Sequence, residues 1–308
     1  MKNNDITYLH KNLVVIVLFC LLCGCASTSG YKKPISDFQN ASSVVTQCAR
    51  VYITQLNKTQ RDAYVDRQVS KSAPIKLMEI NEMQVFSPEG LAVRLKALET
   101  LTKYGDLLMQ LVEADTPGKI SSNASDLSDV LNRLEKNIGA GNIGQNPGVF
   151  QSAFGPASLL IGEVARLAVE QKIQTALDQA IIEGEEPVKK LIRAVRDDLV
   201  MAYELKRNVI SNSRVIYIDG YETDRMKGNN QVVLRKRGEE IKSILDVWET
   251  LPTSNPSEGL DAMADAHTAL VDYARSPRDA KDLAAFAAQM ETFVARAMRV
   301  GKAVKQLQ

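Results

Sequence analysis

The chain has 308 residues, 38 basic and 37 acidic, for a formal net charge of +1. So even a balance supplies no long-range field to draw the protein onto a polyanion, which argues against nucleic-acid binding. With 45% hydrophobic residues, a chain of this length can bury a large core and needs no disulfide staple.

The first 24 residues stand apart. Lys2 and Lys11 bracket a short polar region, and residues 13–22 then run without a charge or a proline. An apolar stretch of about a dozen residues is too short to cross a bilayer, which takes roughly 20, and the profile is that of a signal peptide. At its end, Leu22-Cys23-Gly24-Cys25 resembles the lipobox of bacterial lipoproteins: an aliphatic residue, a small one, Gly or Ala, and the cysteine that is lipidated. Cys23 departs from the commoner Ala or Ser but is similarly small. The resemblance implies cleavage before Cys25, palmitate-class acylation of that residue and lasting attachment, because two or more chains hold where one binds only reversibly. Ala26 rather than Asp follows, which in a Gram-negative cell implies the outer membrane, facing the periplasm. Membrane lipid, reached through acylated Cys25, is thus the first expected partner.

Cleavage would remove Lys2, Lys11 and Asp5 and leave a formal net charge of zero. It would also remove Cys20 and Cys23. With Cys25 acylated, Cys48 remains alone and no intrachain disulfide can form.

Residues 25–36 show no helical period and contain Gly30 and Pro34. They read as a lipidated tether able to reach on the order of 35 Å. From residue 37 to 308 the dominant signal is apolar spacing that alternates three and four, which is the spacing of a helix and not of a strand. Phe38, Ala41, Val45, Cys48 and Tyr52 keep it, as do Leu91, Leu95, Leu98, Leu101, Gly105, Leu108 and Val112. Further on come Val188, Leu191, Val195, Leu199, Ala202, Leu205 and Val209, after a Glu185-Glu186-Pro187 start signal. The last seam is Leu283, Phe286, Met290, Phe293, Ala297, Val300, Val304 and Leu307, with Ser276 and Pro277 as its expected cap and first position.

The spacing predicts helices over 37–69, 88–114, 125–138, 157–183, 187–226, 231–250, 257–275 and 277–307, with long connections over 70–87 and 139–156. The expected fold is all-α: one elongated, antiparallel multi-helix bundle with coiled-coil-like seams and no significant sheet. The one competing reading is local. Residues 214–219 and 231–235 are rich in β-branched side chains around Gly228-Asn229-Asn230, so a hairpin is the alternative there.

Little in the mature chain points to chemistry. Outside the signal peptide His267 is the only histidine, and it falls in the seam Leu260, Met263, His267, Leu270 and Ala274, as a core histidine bonded to a neighbour would; a ligand or pH-sensitive group is the alternative. Asp261 and Asp265 are four apart and lack the ligand count of a metal loop. Cys48 fills a small apolar slot and reads as buried and inert, an intermolecular disulfide being the alternative. The runs Lys189-Lys190 and Arg235-Lys236-Arg237 read as solvated helix faces, or as contacts to anionic lipid or a partner. No Gly-x-Ser-x-Gly, phosphate loop, His-Glu-x-x-His or Cys-x-x-Cys motif is present after Cys25, so no catalytic, cofactor or metal residues are assigned.

Residues 137–162 contain no charge and include Phe150, Phe154, Leu159 and Leu160. These four are candidate membrane or partner contacts. The expected function is that of a membrane-anchored, non-catalytic interaction or scaffold module of the cell envelope, holding an envelope protein; the alternative is a membrane-active, pore-forming-like helical protein that uses the uncharged segment.

Overall fold

The computed structural model describes residues 29–113 and 173–307, together with 122, 166 and 167. Cys25, Phe150, Phe154, Leu159 and Leu160 lie outside the described residues, as do the helix expected over 125–138 and the uncharged 137–162 segment. In chain order the helices are α1 (Ser29–Ser70), α2 (Leu77–Glu82), α3 (Pro88–Val112), α4 (Ile173–Glu183), α5 (Glu185–Met226), α6 (Gln231–Thr250), a 3₁₀ turn (Leu251–Ser254), α7 (Pro256–Arg275) and α8 (Ala280–Gln306). No strand occurs among the described residues. The hairpin alternative is therefore absent: 214–219 continues α5, and Asn230 caps α6 by accepting from the Val232 and Val233 amides.

The α1 and α8 seams bury the faces their spacing predicted. On α1, Phe38, Ala41, Val45, Cys48 and Tyr52 are all buried, and on α8 Phe286, Met290, Phe293, Ala297, Val300 and Val304 are. Phe38 and Phe293 meet at 5.8 Å between ring centroids. Removing either ring would cost about 3–5 kcal/mol in transfer and cavity terms. On α3 the buried face is broader than the seam and displaced: Val93, Arg94 and Ala97 are buried while Leu91 and Leu95 are only half-buried. The reason is that α3 packs on α1, α4 and α5 together.

Paired residues give the directions. Helix α7 runs antiparallel to α1, matching Tyr273 to Tyr31, His267 to Phe38, Gly259 to Val45 and Ser254 to Tyr52. Helix α3 is also antiparallel to α1, with Asp106 on Gln39, Thr102 on Thr46 and Phe86 on Asn57. Helix α8 lies parallel to α1, through Tyr31 with Phe286, Phe38 with Phe293 and Val44 with Gly301. Helix α5 is parallel to α1 as well, with Lys206 at Tyr52 and Asp66 at Tyr217. At 1.5 Å per residue the 42-residue α1 and α5 are each roughly 63 Å long. Among the described residues no helix is long and apolar enough to cross a membrane.

Two boundaries correct the sequence reading. The expected tether over 25–36 is helical from Ser29 onward, and Tyr31 and Ile35 are 2% and 0% exposed. Tertiary packing overrides the weak propensity of Gly30 and Pro34: Tyr31 is held edge-on by Tyr273 at 5.0 Å and by Phe286 at 6.4 Å. A side chain at Gly30 would meet the Tyr273 hydroxyl at 2.9 Å, so glycine lets that hydroxyl approach the α1 backbone closely.

The last helix begins at Ala280, not 277, because Asp279 and Asp282 form a reciprocal capping box, whereas Ser276 ends α7. The connection over 70–87 holds the short α2 and folds back along α1. Asn57 ties it down, accepting from the Val85 and Phe86 amides and donating to the Phe86 carbonyl.

Past the main bundle, α1 beyond about residue 57, α5 beyond about 205, and α6 continue as a thinner arm. Helix α6 packs on α5 and the 3₁₀ turn and has no fully buried residue.

Candidate functional site

Among the described residues polar groups inside the bundle are few, and His267 is the one fully enclosed titratable group. Its ring is 0% exposed, and Nε2 stands 2.9 Å from the Tyr104 hydroxyl, which is 3.4 Å from the Ala180 carbonyl. If Nε2 carries the proton, the imidazole donates to Tyr104 and Tyr104 donates to Ala180, a chain that joins α7, α3 and α4. Nδ1 has no partner, so this tautomer leaves only an acceptor unsatisfied. Burial pushes the imidazole pKa down to about 3, helped by the positive charge of Lys189 and opposed by Glu185. Burial also raises the Tyr104 hydroxyl. The pair is a neutral structural clamp: His267 is a core histidine bonded to a neighbour, as its place in the seam suggested, and the structure identifies that neighbour as the buried Tyr104.

A second buried constellation was not legible in sequence. Arg94 and Asp198, 3% and 11% exposed at their side chains, join α3 to α5 through Nε to Oδ2 at 2.7 Å and Nη2 to Oδ1 at 3.1 Å. The same guanidinium donates to the Gly90 carbonyl and lies 4.0 Å over the Phe86 ring. Burial raises the Asp198 carboxyl even though Arg94 beside it pulls the other way. Arg94 follows Val93 and Asp198 precedes Leu199, so each charge sits one residue from a core position. That adjacency is the only signal the sequence carried.

The remaining candidates separate. Asp261 pairs with Arg196 at 2.8 Å, and Asp265 turns instead to the cleft between α7 and α8. That cleft, about 530 Å³, is lined by Asp265, Asp272 and Asp282, and Asp282 already accepts from the Arg278 and Asp279 amides. Among the described residues no three of His, Cys, Asp or Glu converge as metal ligands. Cys48 is buried beneath a groove of about 690 Å³ between α1 and α8, with Val44 and Val51 beside it and Lys302 and Lys305 along the edge. Desolvation raises its thiol to about 11, so little thiolate forms near neutrality.

No protein-family model matches the chain, and no curated protein or solved structure matches it either. Its functional reading therefore rests on its own residues. Chemically, the described bundle offers buried polar clamps, two grooves and the exposed arm.

Proposed function

We propose that this protein is a lipid-anchored, periplasm-facing module of the cell envelope that acts by non-catalytic interaction, holding other envelope components away from its own membrane attachment. One observation carries the reading: α1 begins at Ser29, four positions after Cys25, and runs as a single 42-residue helix into the distal arm. An acylated Cys25 would thus be coupled to a stiff rod with almost no slack. The exposed flanks of the helices packed along that rod, with side chains such as Val215 on α5 and Met298 on α8 more than half accessible, are the surfaces offered to a partner.

Two measurements test this. Labelled palmitate should enter the chain and not its Cys25→Ser variant, and the chain should fractionate with outer membranes. Photo-crosslinkers at Val215 and Met298 should trap one discrete envelope protein in living cells. Equal labelling of both chains removes the anchor from the proposal, and absence of any crosslinked species removes the interaction.

A further inference from the structure

Among the described residues eight large hydrophobic side chains are more than half exposed, and six of them are Val69, Ile75, Leu77, Met78, Met226 and Val232. These six belong to the α1–α2 and α5–α6 turns and their borders. The two turns lie at one end of the molecule: α1 and α5 are parallel and Asp66 reaches Tyr217, so Ser70 is level with Tyr221 and Met226 stands roughly 8 Å beyond. Two of the six are the most exposed of all, Met226 at 76% and Val232 at 77%.

The same tip is rich in uncommitted positive charge. Residues 225–238 hold Arg225, Lys227, Arg235, Lys236 and Arg237 without a single acid. Arg225 is spent on Glu222, and Arg237 on Asp224 and Glu240. Lys227, Arg235 and Lys236 have no ion-pair partner among the described residues, and neither do Arg67 and Lys71 on the neighbouring turn. Glu79 is tied to Lys76, Glu82 lies farther back along α1, and Asp66 and Asp219, which have no cation partner among the described residues, lie level with Arg67, roughly 10 Å or more short of Met226.

We propose that this tip docks on an anionic lipid surface, with Met226 and Val232 entering the headgroup boundary and Lys227, Arg235 and Lys236 meeting lipid phosphates. Aliphatic side chains interleaved with free cations suit an interface where apolar burial and surface charge add. A protein partner fits less well: its interface core would be enriched in methionine and arginine, which the tip has, but also in aromatics and depleted in lysine, and among the described residues no exposed large hydrophobic side chain is aromatic. The inference deepens the interaction-module reading by naming what the arm meets. It does not require the Cys25 anchor, which enters the membrane at the opposite end of α1.

The test uses the chain from residue 25 onward carrying Cys25→Ser, so that neither acylation nor the apolar 13–22 run plays a part, with vesicles of phosphatidylcholine alone or with about 30% phosphatidylglycerol. Co-sedimentation should favour the anionic vesicles. Each lysine or arginine near such a surface tightens binding roughly fivefold, so Lys227→Gln with Arg235→Gln and Lys236→Gln should weaken it on the order of a hundredfold. Met226→Ser with Val232→Ser should cost about tenfold or more. Circular dichroism must show unchanged helix content in both variants, which an exposed tip allows.

Binding by the triple variant equal to that of the parent overturns the proposal. So does a parent that self-associates through the tip while ignoring lipid charge. Because palmitate labelling tests the anchor and this experiment tests the tip, the two can fail separately.

Discussion

The sharpest consequence of the buried His267 is acid lability of a defined size. Its imidazole titrates near 6.5 when the chain is unfolded and at about 3 in the bundle. The folded-state pKa is depressed, so the contribution is fully present above pH 6.5 and is lost as pH falls from there toward 3, because only the unfolded chain takes up the proton. Each pH unit inside that window costs about 1.4 kcal/mol, and between pH 7 and pH 5 the loss comes to about 2 kcal/mol. Most carboxylates remain ionised over that interval, which isolates the histidine.

Urea unfolding followed by helical circular dichroism at pH 7, 6 and 5 measures it, with His267→Gln as the comparison. Glutamine keeps a hydrogen-bonding group toward Tyr104 and does not titrate. His10 and the raised Asp66 and Asp198 carboxyls are common to both proteins and cancel in the difference. The expected result is a stability that falls about 2 kcal/mol more in the parent than in the variant. Parallel pH profiles would refute the placement of a neutral, desolvated imidazole in the core.

Other outcomes follow from named contacts. Asp198→Ala leaves Arg94 buried without its carboxylate and should cost about 3–5 kcal/mol in urea unfolding, while Arg94→Met with Asp198→Leu should recover most of the loss; a single variant within 1 kcal/mol of the parent, by contrast with that roughly 3 kcal/mol minimum, counts against the pair. At Gly259 a new Cβ would meet Val45 methyls at 2.9 and 3.2 Å, so Gly259→Ala should cost about 1–3 kcal/mol despite the better helix former, and Val45→Ala should rescue its melting temperature. Asn57→Ala removes the side chain that ties down residues 85 and 86; faster hydrogen exchange at the Val85 and Phe86 amides is expected, with a stability loss of about 1–3 kcal/mol, and unchanged exchange would show that the connection is held by something else.

Sequence period alone determined that the chain is helical and which faces turn inward. A 3-4 apolar rhythm has one solution, and Phe38 through Tyr52 and Phe286 through Val304 are buried as that rhythm requires. Local chemistry placed the start of α5, where Glu185 opens the helix as its charge at the N-terminus suggests, but not that of α8, which begins at Ala280 behind Asp279 and not at Pro277. At α1 a longer-range contact won. Helix α1 starts before Gly30 and Pro34 because Tyr31 finds Tyr273 and Phe286, residues more than 240 positions away.

Only the tertiary structure decided which helices are neighbours and in what direction they run. Periodicity says that a face is buried but not against what, so the parallel pairing of α1 with both α5 and α8 could not be read in advance. The Arg94–Asp198 pair, the His267–Tyr104 clamp and the meeting of two exposed turns at one tip all depend on that pairing. Each joins residues from separate helices, and their proximity is set by how packed faces align, a property of the assembled bundle that no single segment contains.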